Sequence, residues 1–319
     1  MDRREFLKRT LISSLTLLMA EKSHATGKET QRGNRANEIN WAKYEAEKKT
    51  REAVQGESYA VLVDITKCIG CRRCEWACNE WNKNPNKPLS EFEKSASEKP
   101  SVFDRIRRTD AETFTIVNRF YKEDVTPIYV KKQCMHCLEP ACLSACFVSS
   151  FEKTKEGSVL YNPSLCVGCR YCMIACPFDI PAYEYFEPLR PQITKCTMCF
   201  DRIIEGKPPA CVEICSADAL IFGKRSDIIK LAHRKLDENP ERYIPHVYGE
   251  YETGGTSWLY LSPVPFEKLG FPKLSKKPDT EKTASFLFTV KVLEVVASVP
   301  LVYAAYKAIS SKGDKEKDE

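Results

Sequence analysis

Sixteen cysteines dominate the chemistry available to this 319-residue chain. Their spacing sorts them into four groups with none left over: Cys68/Cys71/Cys74/Cys78, Cys134/Cys137/Cys142/Cys146, Cys166/Cys169/Cys172/Cys176 and Cys196/Cys199/Cys211/Cys215. Each group ends in a gap of three residues. The middle gap varies from two residues in CIGCRRCEWAC to eleven in CTMCFDRIIEGKPPAC, as if loops of different length had entered one repeated unit. In CVGCRYCMIACP the sulfurs of Cys166, Cys169 and Cys172 sit on a loop that Gly168 allows to curl, so they turn inward as a three-point cradle. Cys176 follows on the opening of a short helix, which carries it along the helix face and away from that cradle. It must serve another centre.

Thiolates are soft donors suited to zinc and to iron–sulfur clusters. A C-x2-C-x2-C-x3-C-P run is the spacing in which three cysteines hold one [4Fe–4S] cluster and the fourth completes the other cluster of a pair. Two readings from a different class, a zinc- or a disulfide-stabilised structural protein, compete with this one. Zinc ribbons present two C-x2-C pairs per metal, whereas every group here offers three close sulfurs and one displaced sulfur. Disulfide frameworks suit short secreted chains, not one long enough to bury an ordinary core. The sequence therefore predicts iron–sulfur ligation by all sixteen cysteines. No Gly-rich dinucleotide loop and no nucleophile motif accompanies them, and His24, His136, His233 and His246 are scattered. The chain reads as an electron carrier with no catalytic site of its own.

The elements that must position these sulfurs are short. With 19 Pro and 13 Gly, 43% hydrophobic and 29% charged residues, the chain predicts a loop-rich α+β body without dominant helices or sheets. VLVDITKCIGC aligns with VLYNPSLCVGC, placing Asp64 and Asn162 each four residues ahead of a first cysteine, so the body is a duplicated two-cluster, ferredoxin-like unit. It spans 57–280 and carries an insertion, 79–133. The first part of the insertion, NKNPNKPLSEFEKSASEKPS, reads as loop with solvated charges, whereas ETFTIVNRFY and PIYVKKQC alternate like strands. Trp76 and Trp81 are expected to pack ordinarily. His136, inside CMHC, is expected beside a cluster, able to hydrogen-bond a sulfur.

Both ends carry addresses. Residues 1–25 join a basic start to a modest apolar run from Leu11 to Ala20 and a small-x-small site at Ser23-His24-Ala25, which is an export signal. Residues 26–56 are a polar linker. Ser285 to Tyr306 has the length of a bilayer span although it contains Lys291 and Glu294, and these lie three apart, on one face. A transmembrane helix is therefore expected over 283–309, followed by a charged cytoplasmic tail, 310–319. The net charge of +5 leaves no nucleic-acid footprint.

RREFLK resembles the twin-arginine export motif through Arg3, Arg4, Phe6, Leu7 and Lys8. That pathway moves folded proteins, so clusters would be built before export. KKQCMHC, CRYCMIACPF, CVEIC and HVYGEYETGGTSWLYLSPVPF resemble the four-cluster electron-transfer subunits of exported, membrane-associated oxidoreductases, within them the HybA-type subunit of hydrogenase-2 and its relative in the high-molecular-weight cytochrome complex. The resemblance implies four [4Fe–4S] clusters with nested ligands: Cys68, Cys71, Cys74 with Cys215; Cys196, Cys199, Cys211 with Cys78; Cys134, Cys137, Cys142 with Cys176; and Cys166, Cys169, Cys172 with Cys146. It also implies a periplasmic catalytic partner, hydrogenase-like or a molybdopterin oxidoreductase, or a multihaem cytochrome, and a quinone-reactive membrane subunit. Only Cys176 is followed by proline; Asn79, Phe147 and Ser216 stand in the equivalent places and keep an N–H that proline lacks.

Overall fold

The structure, a computed structural model, describes residues 58–94, 101–122 and 126–278, together with Ser298 and Pro300. The export signal and linker lie outside the described residues. So do the tail and, apart from Ser298 and Pro300, the expected membrane helix. Among the described residues no helix is long and apolar enough to cross a membrane.

In chain order the elements are strand β1 (Tyr59–Asp64), helices α1 (Arg73–Asn82) and α2 (Leu89–Lys94), strands β2 (Thr115–Lys122) and β3 (Thr126–Gln133), and helix α3 (Ala141–Ser144). Strands β4 (Phe151–Lys153) and β5 (Val159–Tyr161), helix α4 (Tyr171–Ala175), strands β6 (Ala182–Tyr183) and β7 (Ile193–Thr194), and helices α5 (Phe200–Ile203) and α6 (Ala210–Glu213) follow. Strand β8 (Leu220–Lys224), helix α7 (Arg225–Glu238) and strand β9 (Trp258–Leu261) complete the set. Helix and strand are mixed and short.

The run YAVLVD has no polar alternation because β1 is buried on both faces. It is the central strand of a three-stranded sheet ordered β8-β1-β9, antiparallel to β8 and parallel to β9. Ala60 and Leu62 face one way, against Ile228 and Ala232 of α7. Val61 and Val63 face the other, among Met135, Met198, Cys211 and Trp258 on the cysteine side. Period-two geometry thus makes one strand the wall between an ordinary apolar core and the thiol-lined one.

The internal repeat is visible atom by atom. Asp64 Oδ1 accepts from Thr66 N (3.2 Å) and Oγ1 (2.6 Å), capping a 3-10 turn at Ile65–Lys67. Asn162 Oδ1 accepts from Ser164 N (3.0 Å) and Oγ (2.6 Å), capping the equivalent turn at Pro163–Leu165. Then Gly70 and Gly168 take φ of 73° and 71°, and Arg72 and Arg170 both take 60°, each arginine standing just ahead of its helix.

The insertion departs from the expectation of loop. α1 continues to Asn82, and LSEFEK forms α2, whose Phe92 is buried. The strands are where alternation placed them, β2 pairing antiparallel with β3 over their full lengths. One charge of the insertion is half-buried: Arg107 Nη2 donates to the buried Glu75 of α1 (2.5 Å), which also accepts from Arg72 Nη2 (2.7 Å) and Val117 N (2.6 Å), tying α1 to the insertion. Helix α7 and strand β9 carried no cysteine and were not foreseen individually. The signal in α7 was there, since Ile228, Ile229, Leu231, Ala232 and Leu236 recur at helical spacing.

Candidate functional site

All sixteen cysteines are free, with ten of them only partly buried, five buried and Cys169 exposed. The loop–helix repeats hold three sulfurs of each group near one another, and the fold then decides which distant cysteine joins them. Cys68, Cys71, Cys74 and Cys215 line one small cavity together with Lys131. Burial pushes the Cys68 thiol up to about 11, and the nearby Cys71 and Cys215 add to the rise. Burial likewise raises Cys78, whose perturbing neighbours are Cys196, Cys199 and Cys211. Burial raises Cys137, next to Cys134, Cys176 and Cys142. Cys172 is pushed up to about 12 by burial and then by Cys169, Cys146 and Cys166.

The four gatherings also touch in a fixed order. Cys74 of the first is perturbed by Cys211 of the second. Cys196 of the second is perturbed by Cys134 of the third, and both pack around Phe114 with Cys78. Cys142 of the third is perturbed by Cys172 of the fourth. Each gathering thus has a neighbour in the next.

The residues present fit iron–sulfur clusters better than single ions. Among the described residues no three Cys, His, Asp or Glu side chains converge on one point as a tetrahedral zinc would require, whereas a cluster binds each cysteine at a different iron. Buried thiols raised by desolvation need a compensating positive charge to become thiolates, and a metal centre supplies it. Backbone donors stand ready for them: Gly168 N to Cys166 Sγ (3.3 Å), Met198 N to Cys196 Sγ (3.2 Å) and Ser150 N to Cys146 Sγ (3.2 Å).

The residue after the fourth cysteine, where only Pro177 lacks an N–H, matters less than its sequence suggests. The donor to Cys146 comes four residues on, and Cys176 receives backbone hydrogen bonds from Ile180 and Phe178, which proline leaves intact. At Cys78 the backbone four residues on lies within α1, and the side chain of Asn82 approaches the sulfur instead (3.5 Å). Cys176 itself is extended at the end of α4, a helix of only five residues.

His136 is fully buried. Its Nδ1 accepts from Val159 N (2.8 Å), so the proton of the neutral ring is on Nε2, which finds no partner. Burial, then Lys195 and Lys153, hold its pKa well below the usual histidine value. Trp81 and Trp76 pack with Ala77, Cys199 and Ala210, and Arg202 covers the Trp81 ring at 4.6 Å. The other described histidines belong to a cavity of about 1000 Å³ that contains no cysteine. There His233 and His246 are bonded to Glu250 (3.0 Å) and Glu252 (2.7 Å).

Residues 125–225 match the family described as a 4Fe-4S dicluster domain. Over 317 residues the chain is 46% identical to a protein of Nitratidesulfovibrio vulgaris, covering 99% of this chain and 78% of the other. It is 37% identical to the hydrogenase-2 operon protein HybA of Escherichia coli O157:H7, over 68% of this chain and 74% of that one. The formate dehydrogenase-O iron–sulfur subunit of Escherichia coli K12 is 30% identical, over 72% and 75%. The chain belongs to this iron–sulfur subunit family. Family membership accounts for the cysteine groups: the chain is an electron-transfer iron–sulfur subunit that carries several [4Fe–4S] clusters.

Proposed function

We propose that the chain relays single electrons along four [4Fe–4S] clusters between a periplasmic, hydrogenase-like catalytic partner and a quinone-reactive membrane subunit. The ligand sets are Cys68, Cys71, Cys74 and Cys215; Cys78, Cys196, Cys199 and Cys211; Cys134, Cys137, Cys142 and Cys176; and Cys146, Cys166, Cys169 and Cys172. The neighbour-to-neighbour series of these thiols carries the reading, because a relay requires each centre to lie near the next. A bound cluster supplies one-electron chemistry at a potential set by charge, sulfur hydrogen bonds and burial. The protein's own residues hold the spacing, exclude water and aim N–H donors at sulfur. The unpartnered Nε2–H of His136 is read as a further donor of this kind toward the third set.

The fourth set is one end open to a partner. Cys169 is exposed, and the exposed apolar side chains Phe147, Val167 and Ile174 lie within two residues of the set's cysteines. Export by the twin-arginine route, anchoring by helix 283–309 and a cytoplasmic tail complete the proposal. A formate dehydrogenase-like catalytic partner is the second reading, supported by the likeness to that enzyme's iron–sulfur subunit. Copurification from the native host, with identification of the bound subunits, separates the two.

The ligand sets are tested on the anaerobically purified chain, which is expected to hold about sixteen iron and sixteen sulfide. Cys176→Ala is expected to damage the third set's cluster and spare the fourth. Loss of the fourth alone would overturn the pairing. Truncation after Lys282 is expected to release a soluble, fully clustered protein, and an intact protein that washes off membranes in alkaline carbonate would refute the anchor.

A further inference from the structure

Lys131 is the most deeply buried cation that the thiols face. It comes from β3 of the insertion, is 2% exposed, and lines the cavity of Cys68, Cys71, Cys74 and Cys215. Its Nζ donates to two neutral oxygens, Thr115 Oγ1 (2.6 Å) and Gln133 Oε1 (2.8 Å), and lies 4.6 Å from the ring of Trp258. Gln133 is fixed in turn, its Nε2 donating to Tyr260 Oη (2.7 Å), and Tyr260 Oη donates to the carbonyl of Lys131 (3.1 Å). The ammonium is therefore held in one place. No carboxylate among the described residues forms an ion pair with it; the described ion pairs all involve other cations.

An ammonium buried without a counter-charge is strongly unfavourable. The anions available to it are the cysteines. Burial disfavours the thiolates at Cys68 and Cys74, in the first set, and at Cys78 and Cys196, in the second, and the positive field of Lys131 offsets part of that penalty. Against the cost of burial, Cys211, Cys74, Tyr260 and Cys196 favour the charged ammonium.

We propose that Lys131 is the shared counter-ion of the first two clusters and raises the reduction potential of both. Reduction adds one electron, and so one negative charge, to a cluster without moving any atom of Lys131. A fixed positive charge beside the cluster stabilises the reduced form more than the oxidised one. Because the charge is shared, the two clusters shift together. The other buried lysine near the thiols, Lys195, donates to the carbonyls of Val159 and Cys196 and lies among the third set's neighbours. The inference rests on the ligand sets proposed above, and the test separates the two.

The experiment is a potentiometric titration followed by EPR on the purified full chain, comparing wild type with Lys131→Met, Lys131→Gln and Lys131→Arg, each with its iron content measured. Met and Gln remove the charge and Arg keeps it. With iron content full, two midpoints are expected to fall in Met and Gln by at least a tenfold change in the reduction equilibrium, about 59 mV for one electron, and to recover in Arg. If Met and Gln lose clusters and Arg retains them, the charge is needed for the clusters to be held, which supports the same role. Unchanged midpoints at full iron content overturn it, and so does loss of clusters in all three variants, since packing alone then explains the residue. If the midpoints that move include that of the cluster lost in Cys176→Ala, the ligand sets are at fault and not the counter-ion.

Discussion

The two halves of the internal repeat share a local sequence logic and differ in what surrounds it. Around Asp64 the cap is buried: Oδ2 accepts from Tyr243 Oη (2.8 Å) and Lys235 Nζ (3.1 Å), both reached from the α7 side of the sheet, and Arg242 Nε donates to Thr66 Oγ1 (2.7 Å). Around Asn162 the cap meets only its own turn. α1 runs for ten residues and is clamped by Glu75 to the insertion, whereas α4 has five and leaves Ile174 79% exposed. One copy of the motif has been built into the core, and the other has been left at the surface with an exposed cysteine. The difference lies in the neighbours, not in the motif.

The sharpest way to break this contrast is at the caps. Asp64→Ala leaves Lys235 and Tyr243 without their buried partner and removes a cap, and it is expected to cost about 3–4 kcal/mol. Asn162→Ala removes a cap alone, about 1 kcal/mol. The urea concentration at half-loss of cluster absorbance reports both, and equal effects would refute the distinction. The Asp64 carboxyl also titrates: burial raises its pKa, but the bonds from Thr66, Tyr243 and Lys235 outweigh burial and hold it below the usual value. Its contribution is complete above the unfolded carboxylate value near about 3.9 and is lost as pH falls through the lower folded value.

The loop glycines give the next test. A Cβ on Gly70 would meet the Tyr129 ring at 2.5 Å, while one on Gly168 would find nothing nearer than Tyr183 Oη at 3.6 Å. Both positions carry the left-handed penalty of about 1–2 kcal/mol. Gly70→Ala adds overpacking of about 1–3 kcal/mol, so it is expected to lower cluster occupancy more than Gly168→Ala, as measured by iron per chain.

The smallest effect belongs to the C-terminal part, away from the thiols. The hydrogen bond that His246 donates to Glu252 raises the histidine's pKa against the opposing effect of burial. Its stabilisation is fully present below the unfolded histidine value near about 6.5 and is lost as pH rises through the higher folded value. His246 is about half exposed, which limits the loss to less than about 1 kcal/mol. His246→Gln is expected to flatten the fall in thermal midpoint above neutral pH, and an unchanged slope would remove the pair from the account.

Spacing alone identified the sixteen ligand candidates, the cluster chemistry, the repeat that aligns Asp64 with Asn162 and the β2/β3 strands. All of these are local: a gap of two or three residues, a capping oxygen or an alternation acts within a few residues of itself. Sequence analysis also set His136 beside a sulfur, but not the tautomer that Val159 imposes. The tertiary structure decided what no local pattern encodes. It brought Cys215 beside Cys68 across the whole domain, turned part of a presumed loop into α2, tied the insertion to Glu75, and buried Lys131 against thiols from both ends of the cysteine series. A charged residue in an alternating strand reads as solvent-facing, and Lys131 lies inward because the anions that make its burial tolerable arrive from segments distant in the chain.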